Sequence, residues 1–86
     1  MNSIDTRICK IIEDVLSGRL TSAEFWEQSK LIDGATPEAA AAWHMASHFV
    51  TDEDIRQREP EYEARLLARL RWHLSSLRGE EKNAAE

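Results

Sequence analysis

The side chains best suited to chemistry in this chain are carboxylates and histidines. Six acids, Asp52, Glu53, Asp54, Glu59, Glu61 and Glu63, fall within residues 51–63 with only Arg56 and Arg58 to offset them, a local charge of −4 out of −5 for the 86 residues. Like charge gathered in one place repels itself, which points to a cationic partner, or else to a solvated connection between helix N-termini that welcome acids. As acid–base pairs these carboxylates lack the apolar pocket that would drive their pKa values apart. His44 and His48, four apart, have the spacing of two metal ligands on one helix face. They fall opposite the apolar stripe of Trp43 and Phe49, however, position 45 is Met instead of the Glu of a metalloprotease helix, and His73 is the only other histidine. The expectation is an exposed or interfacial pair, with no metal and no cofactor. There is no glycine-rich phosphate loop and no Ser or Cys in a nucleophile motif, so no catalytic residue is assigned and no enzyme is expected.

The elements that must carry these residues are constrained first by size. A chain of 86 residues is one domain near the lower limit for a self-sufficient core, and 42% hydrophobic with 31% charged residues is the composition of a folded protein. No apolar run reaches the roughly 18 residues needed to cross a bilayer, and the N-terminus lacks the basic and apolar regions of a secretory signal. A cytoplasmic protein is expected. The single cysteine, Cys9, rules out an internal disulfide and reads as a small core hydrophobe. A pI near 5.2 disfavours direct contact with nucleic acid or an anionic membrane.

Periodicity gives helices throughout. Ile4, Ile8, Ile11, Ile12 and Val15 define a first helix from Ile4 to about Leu16, with Asn2 or Ser3 as its cap and Gly18 as its stop. Thr21 and Glu24 have capping-box spacing, Leu20 and Phe25 form a hydrophobic staple, and the second helix is expected to run to about Ile32 before the Asp33-Gly34 turn. Thr36-Pro37-Glu38 starts a third helix reaching Val50, with Ala39, Ala42, Trp43, Ala46, Phe49 and Val50 inward. A short helical turn spans Asp54 to Arg58. Pro60 then opens the last helix, whose stripe is Tyr62, Leu66, Leu67, Leu70, Leu74 and Leu77 and whose stop is Gly79. Four helical segments with short connections predict an all-α antiparallel four-helix bundle over residues 1–79, with a polar, frayed tail over 80–86.

One aromatic stands apart from these stripes. At about 100° per residue, Trp72 falls on the side of Arg65, Arg69 and Ser76, roughly 160° from Leu74 and Leu77. It is either covered by arginine stems or an interface anchor of the Trp-plus-Arg kind that binding sites favour.

The order Leu16-Ser17-Gly18-Arg19-Leu20, Thr21-Ser22-Ala23-Glu24-Phe25, a further helix, and an Asp-rich turn before the last helix resembles the small bacterial immunity proteins of the colicin D immunity type. The resemblance implies an acidic helical bundle that inhibits a cognate tRNA-cleaving toxin one to one, with carboxylates standing in for RNA phosphates over its basic active site. That role would fall on Asp52, Glu53, Asp54, Glu59, Glu61 and Glu63. A second reading is a helical interaction module or homodimer without inhibitory activity, with contact through Ala39 to Ala42 or through Trp72.

Overall fold

In the computed structural model, residues 3–78 are described, and every element among them is helical. The order is α1 (Ser3–Leu16), α2 (Ser22–Glu27), a 3-10 segment (Ser29–Gly34), α3 (Pro37–Thr51), α4 (Glu53–Arg58) and α5 (Pro60–Arg78). The all-α class is as expected; six helical segments are present among the described residues, of which α4 matches the short turn expected from Asp54 to Arg58 and the separate 3-10 segment is added to the four main helices anticipated. Asn2 as a cap, Gly79 as a stop and the tail 80–86 lie outside the described residues.

Each start has a local cause. The Thr21 hydroxyl accepts from the Glu24 amide at 3.2 Å and the Glu24 carboxylate accepts from the Thr21 amide at 2.9 Å, a closed capping box. Hydrogen bonding to the Glu24 carboxyl from the Thr21 backbone first, then from the Thr21 side chain, holds it below its usual range. Thr36 caps α3 by accepting from the Ala39 amide at 3.3 Å, with Pro37 in the first turn. At the end of α1, Gly18 takes φ +78°, which a side chain disfavours, and lets the Arg19 and Leu20 amides fold back onto the Asp14 carbonyl.

The second helix departs from expectation. It stops as an α-helix at Glu27 and continues from Ser29 as a 3-10 segment. The tighter winding, with bonds three residues back, sets Leu31 and Ile32 half-buried against the core. It also draws Gly34 under α1, so closely that a Cβ there would lie 2.5 Å from Ile4 Cδ1.

The core lies where α1, α3 and α5 meet, with Phe25 closing it from α2. Ile8, Cys9 and Ile12 enter from α1, the six residues expected of α3 are all buried, and Leu66, Leu70 and Leu74 enter from α5. Tyr62, Leu67 and Leu77 flank that stripe half-buried. Ala39 and Ala42 are fully buried and let the neighbouring helices pack closely, whereas Ala40 is half-buried and Ala41 exposed, so only half of the small-residue run faces inward. Phe25 stacks on Trp43 with centroids 4.2 Å apart and planes 11° from parallel.

Asp5 is the one buried charged residue among those described, and nothing in the local pattern of residues marks it. Its carboxylate accepts from the Thr36 amide at 3.2 Å and from the Thr36 hydroxyl at 2.6 Å. Thr36 thus caps α3 and ties it to α1. A second tie is the Arg78–Glu13 ion pair, which joins the end of α5 to α1.

Candidate functional site

The acidic connection is built on a rigid corner. α3 ends and α4 begins at the same residue, Asp52, so there is no loop between them. Arg56 of α4 points inward with a side chain only 13% exposed. Its Nε donates to the Phe49 carbonyl at 2.7 Å, its guanidinium lies 3.7 Å over the Phe49 ring, and its Nη1 donates to Glu63 at 3.1 Å. One arginine therefore binds the end of α3 to the start of α5 by hydrogen bonds, charge and cation–π contact. Beside it the Tyr62 hydroxyl donates to the Asp52 carboxylate at 2.5 Å.

These contacts divide the six expected acids. Asp52 and Glu63 are half-buried and engaged by Tyr62 and Arg56, so they serve the corner itself. Glu53, Asp54, Glu59 and Glu61 are exposed, and no side chain among the described residues bonds them. Arg56 does not interrupt the outer acidic surface, because it faces in. Arg58 is exposed and donates to the Asp54 carbonyl at 3.4 Å. Sequence spacing could not reveal the part played by Arg56, since its partners lie seven residues away in each direction, across two helix boundaries.

Tyr62 offers a direct probe of this corner. Hydrogen bonding to Asp52, then desolvation, raises its pKa above the ordinary value of 10.0. A raised folded-state value means that the bond's contribution is intact below the unfolded pKa and lost as pH climbs through the folded one. Tyr62 is the only tyrosine, so absorbance near the tyrosinate band should show ionisation delayed to more alkaline pH than in the unfolded chain. Asp52→Asn should bring it back towards the ordinary value. An unshifted titration in the native chain would mean that the bond does not form.

Trp72 lies away from this corner, 53% exposed, with its ring edge-to-face against His73 at 5.0 Å. It lines two shallow hollows of about 440 and 300 Å³. The smaller runs between Pro37, Glu38 and Ala41 of α3 and Trp72, His73 and Ser76 of α5. The start of α3 thus lies beside the end of α5, while Arg56 joins their other ends, so the two helices run in opposite directions. Burial, then the charge of Arg69, lowers the His73 pKa below its ordinary value. Comparison with known proteins returned no match to a family model, a curated protein or a solved structure.

His44 and His48 are both exposed on α3, with ring centroids 5.0 Å apart and planes 89° to each other. No group of three or more His, Cys, Asp or Glu side chains converges among the described residues. Trp26, 43% exposed, keeps an edge contact with Phe25 at 5.0 Å. No helix among the described residues is long and apolar enough to cross a membrane.

Proposed function

We propose that this protein binds and inhibits a basic nuclease toxin domain, of the tRNA-cleaving kind, by laying its acidic corner over the cationic surface that receives nucleic-acid phosphates. The observation that supports the reading is the outward set Glu53, Asp54, Glu59 and Glu61, carried without side-chain partners among the described residues on a backbone that Arg56 and Tyr62 tie to α3 and α5. A fixed backbone lowers the ordering cost of binding, and a concentrated charge of one sign steers a cationic partner to the surface at high rate. Inhibition by coverage needs no reacting group. The reading belongs with a cytoplasmic immunity protein of the colicin D type. Its scaffold would be an antiparallel four-helix bundle with α1, α2 plus the 3-10 segment, α3 and α5 as legs and α4 as the corner piece.

The test is a charge reversal that spares the corner. Glu53→Lys, Asp54→Lys, Glu59→Lys and Glu61→Lys together move the formal net charge from −5 to +3 and leave Asp52 and Glu63 untouched. Against a panel of basic tRNA-cleaving toxin domains, the native chain should associate at a rate that falls steeply with salt. The variant should associate at least ~10-fold more slowly, with unchanged helix content. Equal association rates and equal salt dependence for the two chains would sink the proposal.

A further inference from the structure

We infer that the outer face of α5 is a self-association surface, on which a second copy of the chain docks its own α5 antiparallel about a two-fold axis. This surface shares Glu61 with the acidic corner but leaves out Glu53 and Asp54, and the Ala68→Arg variant that tests it lies outside the corner, so its failure is distinguishable from failure of the inhibitory role.

Glu61, Ala64, Arg65, Ala68 and Trp72 are all exposed and lie opposite the buried Leu66, Leu70 and Leu74. Positions 61, 65, 68 and 72 alternate by four and three residues, the seam of a helix pair. Trp72, at 53%, is the more exposed of the two large apolar side chains that reach solvent among the described residues. An indole exposed there has a large apolar area to bury, as residues at binding hot spots do.

The charge order along α5 selects both occupant and direction. The helix begins with Glu59 and Glu61 at its edge and continues with Arg65, Arg69 and Arg71. A second α5 laid parallel would set acid on acid and arginine on arginine. Laid antiparallel with the axis between residues 66 and 67, position 61 of each copy faces position 72 of the other, and 65 faces 68. The acidic start of each helix then lies beside Arg69 and Arg71 of its mate, twice over, and Arg65 keeps its own Glu61 one turn away. Ala64 and Ala68 at the centre allow close approach, and each Trp72 covers the second copy's Ala64 and the stem of its Glu61. The contact is isologous, so it closes at a dimer and does not propagate.

Sedimentation velocity on the full chain, from micromolar to near-millimolar concentration, tests this. The expected result is a monomer–dimer equilibrium that weakens with salt. Ala68→Arg, which adds two guanidinium groups at an exposed position beside the Arg65 pair already flanking the axis, should raise the dissociation constant at least ~10-fold with helix content unchanged. Glu61→Lys should weaken the dimer, and adding Arg69→Glu and Arg71→Glu to it should restore association. A chain monomeric across the whole range, or a dimer indifferent to Ala68→Arg, overturns the inference.

Discussion

Replacing Phe25 with alanine should remove roughly 3–5 kcal/mol of stability, most of what a domain of this length has. The residue is fully buried and stacked on Trp43, itself 2% exposed, so truncation both opens a cavity beneath the short α2 arm and strips one face of the largest core side chain. The arm cannot readily collapse to fill the space, because the capping box fixes its start and the contact of Gly34 with Ile4 fixes its end. At roughly 4–8 °C per kcal/mol for a domain of this size, thermal melting followed by circular dichroism should lose its cooperative transition or shift it down by tens of degrees. A shift of only a few degrees would show that the stack contributes little.

The second large effect is expected at Asp5. Its carboxylate takes both donors of Thr36 while that hydroxyl caps α3, so Asp5→Ala leaves the Thr36 amide unsatisfied in a part-buried place and loosens the cap at the same time. Loss of hydrogen bonds to a charged acceptor, with a donor left unmade, costs about 2–3 kcal/mol. Asp5→Asn retains one acceptor oxygen and should cost clearly less. Thr36→Val removes the hydroxyl partner and keeps the amide, so chemical denaturation of the two single variants and the double variant should give non-additive losses. Additive losses would mean that the two residues act independently.

These two sites mark the limits of what the chain reveals unfolded. Phe25 was legible because its neighbours Leu20, Thr21 and Glu24 carry a local signal, and local signals also placed all of α3 and the apolar stripe of α5. Asp5 was not, because an acid in the first turn of a helix is ordinary there and its partner lies 31 residues away. The break after Glu27 was likewise hidden, since Leu31 and Ile32 fit a continued α-helix about as well as the 3-10 segment that sets them against the core. Within the acidic stretch the composition was plain, but its division into two structural and four outward carboxylates depends on Arg56 and Tyr62, whose partners are brought close by the corner itself. The exposure of Trp72 followed from helical geometry alone.

Cys9 gives the molecule an internal clock. It is the chain's only thiol, it sits in the core face of α1, and burial raises its pKa above the ordinary value, so the native protein presents almost no reactive thiolate at neutral pH. Two long-range ties described above, Asp5 to Thr36 and Glu13 to Arg78, hold α1 in place. The rate at which a thiol reagent labels the chain therefore times how often α1 lifts away from the other helices, a motion that can occur well short of global unfolding.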